Sequence, residues 1–179
     1  MGRFKRFKDK KISRGKFIKI LEKGMEVFGV GDLLHWRLLV VEEGKVELMK
    51  GLKKQKWMLN ACKWVLVCSD VSEVKRFFKK DYENLIMQDC AMVSQNMMLE
   101  ADSLKVGNNF VRSFDEDKVR EILRIPDSVF IFGFLVFGVG DGVEDKLVDF
   151  DLDNFVYFDK YGAGKRDSLY PVTKFFKKK

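Results

Sequence analysis

The chain has 179 residues, of which 46% are hydrophobic, and a net charge of +7, the size of one domain that can bury a sizeable core. The positive excess sits at the ends: residues 1–23 carry ten Lys/Arg against two acids, and residues 160–179 carry seven against one, so the body between them is acidic. That distribution argues against a basic nucleic-acid face on the folded body, and the most apolar stretch, Val129 to Gly140, is too short to span a membrane.

No apolar core follows the basic start, so no secretory leader is expected. The three cysteines (Cys62, Cys68, Cys90) are odd in number, lack a CxxC pair and lie among apolar neighbours. They are expected as reduced, buried thiols in the cytoplasm. One histidine, His35, rules out a His-rich metal site but leaves a Ser-His-Asp triad open. A zinc site would need scattered cysteines to converge, so no metal is expected.

In chain order, Ser13 can cap a helix running to about Phe28, with Phe17, Ile20, Leu21, Gly24 and Phe28 on one face. Gly29 and Gly31 break it. Trp36 to Val41 reads as a buried strand, Val46 to Leu52 as a short helix, and Trp64 to Cys68 as a second buried strand. Asp81 to Leu104 is the longest helical pattern: Ile86, Cys90, Val93, Met97, Ala101 and Leu104 step by three or four, and Met87, Ala91 and Met98 flank that stripe. The methionines Met87, Met92, Met97 and Met98 read as core filling. Asp115 is placed to cap a helix that ends before Pro126. Val129 to Phe137 is a continuous apolar run, as in a strand covered on both faces. Asn154 to Phe158 reads as a last strand. The whole is expected as a single α+β domain over 1–179, with a basic N-terminal segment (1–12) and a basic C-terminal tail (160–179). The glycines at 138–142 and at 162–164 lack the spacing of nucleotide-binding loops.

Several motifs line up in a known order. Ala61 to Asp70 (ACKWVLVCSD) is similar to a strand that ends near Ala-Asp; Gln88 to Ala101 (QDCAMVSQNMMLEA) keeps the Asp, the Gln-Asn pair and the Leu-x-Ala step of a central helix. Ser103 to Phe110 corresponds to a turn written S-L-G-L-G-[ST]-x-W, Phe114 to Leu123 with Ile125-Pro126 to the helix after it, and Leu135 to Gly138 to the last core strand. In this order, over roughly residues 3–160, the chain resembles the FMN-dependent nitroreductase family. The resemblance implies a central mixed or antiparallel sheet flanked by helices. It also implies a homodimer with the long central helix at its interface, a C-terminal arm reaching over the partner, and two FMN sites between subunits. The implied reaction is reduction of a small acceptor, such as a nitro compound or quinone, by NAD(P)H in alternating half-reactions. The protein then supplies position and electrostatics to the cofactor, without a histidine acid–base pair.

Carried over residue by residue, the family's N-terminal Arg-Ser-x-Arg segment falls on the stretch Arg3 to Phe7, with Arg3 on its serine and Lys5 on its second arginine; Arg3, Lys5 and Arg6 are cations suited to the flavin phosphate. The loop Pro-Ser-x-x-Asn-x-Gln-Pro-Trp falls on Phe28 to Trp36, where Gly29 replaces Ser, Asp32 replaces Asn, Leu34 replaces Gln and His35 replaces Pro. Asp32 can accept from the flavin N3–H but cannot donate to its O2 carbonyl. Arg112 and Ser113 align where the family offers a backbone N–H to flavin N5. The family's basic segment near Asp149 and Asp151 is acidic here, with Lys146 as a substitute. Two alternatives stay open: a non-catalytic, cofactor-free dimer on the same fold, and nucleic-acid binding through the basic ends, whose affinity would fall steeply with salt.

Overall fold

The computed structural model describes residues 6–52, 56–142, 155–157 and 159–162. The chain divides into two compact units, Met1–Lys146 and Leu147–Lys179. In the first, the elements are β1 (Phe7–Lys8), α1 (Arg14–Met25), β2 (Trp36–Val41), α2 (Lys45–Leu48), β3 (Lys63–Asp70), α3 (Val71–Phe77), α4 (Tyr82–Ser103), β4 (Gly107–Val111), α5 (Glu116–Leu123) and β5 (Val129–Gly140), with short 3-10 turns at Val30–Asp32 and Lys56–Asn60.

Every described strand pairing is antiparallel. The order is β1-β5-β3-β2, and β4 lies beside β5 on the same edge as β1. β4 covers Phe134 to Gly138 and β1 covers Val139 and Gly140. They meet where glycine is required: a Cβ on Gly107 would come within 3.0 Å of the Gly140 backbone.

β5 is central, as its unbroken apolar run requires. Its side chains serve two cores. Leu135 and Phe137 join Val65 and Val67 of β3 against α1 and α4, while Phe134 and Val136 join Trp64 and Leu66 against α2 and α5. Toward the start of β5 the parity inverts, because Val67 pairs with Gly133 but Cys68 with Ile131. That bulge turns Phe132 to the α4 side, stacked on Phe110.

The helices start where the sequence supplies caps. Ser13 accepts from Lys16 N, Asp70 from Ser72 N and Asp115 from Lys118 N. α4 packs Ile86, Cys90, Val93, Met97 and Ala101 inward. Gly24 lets α1 approach it, since a Cβ there would lie 2.6 Å from Met97 Cγ. Of the apolar residues beside the α4 stripe, Met87, Ala91 and Met92 are exposed while Met98 is half-buried against the core, and of the four methionines only Met97 is fully buried. One long helix cannot bury more than one face against a single neighbouring layer.

The sequence pattern passed over α3 and β4. Of the expected strand Asn154–Phe158, the described residues Phe155–Tyr157 lie in a turn and irregular chain, and its two ends fall outside the described residues. None of the described helices is long and apolar enough to cross a membrane.

Candidate functional site

The loop after α1 shapes one end of the sheet. Gly31 and Asp32 both take left-handed backbone (φ 62° and 56°), closed by Asp32 N donating to Gly29 O at 3.1 Å. Phe78 crowds Gly31 as well, its Cζ lying 3.2 Å from where a Cβ would stand. The loop then descends into β2, and Arg37 fastens that junction: one guanidinium nitrogen donates to Leu34 O at 2.7 Å and the other to Glu73 Oε1 at 2.8 Å. Asp32 and Leu34 are exposed, as is Phe28 just before them.

The register locates the other candidates. Trp36, Ser69 and Phe130 stand side by side across β2, β3 and β5. Val111 ends β4 opposite Phe134, so Arg112 and Ser113 emerge at the same end of the sheet as the Asp32–Leu34 loop. They stand three strand spacings apart across the sheet, about 14 Å, and Val111 pairs at Phe134 where Trp36 stands level with Phe130, a further offset of about 13 Å along the strands. Arg112 donates to Phe132 O at 2.8 Å and lies over the Phe132 and Phe130 rings. Its side chain is committed to the sheet, while Ser113 is exposed. Arg6 lies elsewhere: its carbonyl accepts from Asp141 N at 3.0 Å, beyond the far end of β5. Measured along β5 from Gly133 to Asp141, that is about 26 Å from Arg112. Arg3, Lys5 and Lys146 fall outside the described residues.

Beneath the loop lies a feature the sequence did not reveal. His35, Ser69 and Asp89 are completely buried. His35 Nδ1 is 2.8 Å from Ser69 Oγ, and Nε2 is 2.8 Å from Asp89 Oδ2. A carboxylate only accepts, so Nε2 carries a proton; in the neutral imidazole Nδ1 then accepts from the serine hydroxyl. The imidazole packs edge-on against Trp36. The three residues are scattered over 54 positions, on β3, on α4 and at the start of β2. A single histidine made the triad conceivable, but only tertiary pairing selects these partners.

The thiols are all free. Burial pushes Cys68 up to about 11 and Cys90 up to about 12, so neither is an active nucleophile. Among the described residues no group of His, Cys, Asp and Glu could hold a metal ion.

The residues at the loop end of the sheet fit a flavin in part. This end of the sheet carries a left-handed turn and the uncovered apolar surfaces of Phe28 and Leu34 on its β2 side, and the Ser113 hydroxyl on its β4 side, groups of the kind that hold a planar ring with a polar rim. Asp32 offers only acceptors there.

A helix-covered antiparallel sheet of this order defines an α+β fold. The sequence pattern of the Nitroreductase family matches residues 30–140, more than half of the chain. The chain belongs to the nitroreductase family and is an oxidoreductase. An NADPH-dependent oxidoreductase of Staphylococcus aureus is 25% identical over 181 aligned positions, spanning 90% of this chain and 71% of the relative. A nitroreductase family protein of Clostridium difficile 630 superposes with a TM-score of 0.76 at 24% identity, over 88% of this chain and 93% of its own. An FMN-dependent nitroreductase of Clostridium difficile R20291 does so with a TM-score of 0.71 at 18% identity, over 89% and 95%.

Proposed function

We propose that the protein is a homodimeric FMN-dependent NAD(P)H oxidoreductase that reduces a small acceptor in alternating half-reactions. The observation that carries this reading is the placement of the Asp32–Leu34 loop and of Arg112–Ser113 at the same end of a nitroreductase sheet, with Phe28 and Leu34 left uncovered on the loop side. Bound FMN supplies the centre that accepts and passes on hydride. The chain's own residues hold it. Arg6, with Arg3, Lys5 and Lys146, would neutralise the phosphate; Asp32 would accept from N3–H; Leu34 would offer apolar surface to the ring; the backbone at Arg112 and Ser113 would donate toward N5. NAD(P)H and the acceptor then take turns on the open face.

Dimerisation has its own support. Met87, Met92 and Leu99 on α4 and Ile18 and Met25 on α1 are each at least 40% exposed. A second copy packed along α1 and α4 would cover them. The wide separation of Arg6 from Arg112 also suits a site assembled from two subunits. The free thiols accord with a cytoplasmic location.

A visible spectrum after adding FMN and desalting tests the proposal. A retained flavin band that NADH or NADPH bleaches is the expected result. No band, and no thermal shift at a hundredfold excess where about 2.7 kcal/mol of stabilisation is due, would favour the second reading. That reading is a cofactor-free dimer on the same fold, supported by Gly29, Asp32 and Leu34 standing where the family has Ser, Asn and Gln.

A further inference from the structure

The buried Ser69–His35–Asp89 chain invites comparison with a nucleophilic triad, but its exposure excludes that chemistry. None of the three side chains reaches solvent, and Ser69 lies inside β3 between Trp36 of β2 and Phe130 of β5. No substrate carbonyl can approach its hydroxyl. The chain must act through what it holds.

What it holds is the loop. Asp89 rises from the eighth position of α4, and its Oδ2 accepts from His35. A Cβ built on Gly29 would sit 3.1 Å from that same Oδ2, and 2.7 Å from both Leu33 O and the Trp36 ring. Gly29 therefore lies directly on the carboxylate, and the loop from 29 to 34 closes over it. His35 ends that loop and also bonds outward, its carbonyl accepting from Asp70 N at 3.1 Å at the cap of α3. His35 thus joins loop, sheet and two helices, its ring reaching β3 and α4 and its carbonyl the cap of α3.

We propose that His35 is a positioning residue: by orienting the Asp89 carboxylate under Gly29 it fixes the 29–34 loop, and with it Asp32 and Leu34, in the form that meets the cofactor. This rests on the reading of that loop as part of an FMN site. The path runs through Nε2 and Asp89, with the Ser69 bond serving only to hold the ring's tautomer. Side-chain chemistry separates the two arms. A glutamine amide reaches toward the Nε2 position and keeps the donation to Asp89; an asparagine amide reaches toward Nδ1 and keeps only the Ser69 contact.

The test is hydrogen–deuterium exchange of residues 28–34 in the ligand-free protein, paired with an FMN fluorescence titration, on His35→Asn, His35→Gln and Ser69→Ala. The expected result is loop exchange at least about tenfold faster and FMN binding at least about fivefold weaker in H35N, with H35Q and S69A within about twofold of wild type on both. Loop exchange unchanged in H35N, equal loosening by S69A, or unaltered FMN affinity in H35N would each overturn the proposal. Should H35N not fold, H35Q decides: a loosened loop there overturns it. Wild type that binds no FMN sinks the cofactor reading, while a loop loosened in H35N alone still establishes His35 as the residue that holds it.

Discussion

Replacing Gly29 by Ser returns to this chain the residue its family carries, so resemblance alone expects a gain in flavin binding. The structure expects damage. A Cβ at position 29 falls 2.7 Å from Leu33 O, a backbone atom, and 2.7 Å from the Trp36 ring, which is 1% exposed and cannot swing away. The third neighbour, Asp89 Oδ2 at 3.1 Å, is held by His35. Overpacking at a site this rigid belongs in the upper part of the usual range, about 2–3 kcal/mol. Loss of a glycine's freedom in the unfolded chain offsets about 0.4–1 kcal/mol. The net cost is therefore about 1–2.5 kcal/mol, or a fall in melting temperature of about 2–10 °C for a chain of this size. Differential scanning fluorimetry on G29S and G29A checks it. Because the cost lies in the Cβ, both variants should fall together, and neither should bind FMN more tightly than wild type. A G29S protein melting within about 1 °C of wild type, or gaining FMN affinity, refutes the packing argument.

Three more outcomes are expected. Asp32→Asn restores a donor for the flavin O2 and removes a carboxylate near the charge that reduction develops, so FMN should bind about 2- to 10-fold tighter by fluorescence titration. The hydrogen bond from the Ser72 side chain holds the Asp70 carboxyl below its ordinary value of 3.8; a lowered folded value stabilises at pH above 3.8 and is lost as pH falls below it. Urea midpoints should thus show wild type ahead of Asp70→Ala at about pH 6 and the gap narrowing at about pH 3; a constant gap counts against the assignment. With Cys68 and Cys90 buried and pushed up to about 11 and about 12, Ellman's reagent at about pH 8 should titrate about one thiol in the native protein, Cys62, and about three after denaturation.

The features legible in the chain alone are mostly local. Apolar runs placed β2 and β5, heptad-like stepping placed α4, and Ser13 and Asp115 marked helix starts that the structure caps with those side chains. Motif order carried the family and the fold with it. These signals survive in one dimension because propensity, capping and burial periodicity act over a few residues. Tertiary structure alone decided the rest. α3 was masked by the strand it continues, since Asp70 both ends β3 and caps the helix. β4 was hidden in a glycine- and asparagine-containing turn whose strand character comes only from pairing with β5. The methionines of α4 could not be sorted into core and surface without the single layer they pack on. The partners of His35 lie 34 and 54 positions away and are chosen by register and helix placement. Nothing local in a sequence encodes a hydrogen bond that three separate elements must converge to form.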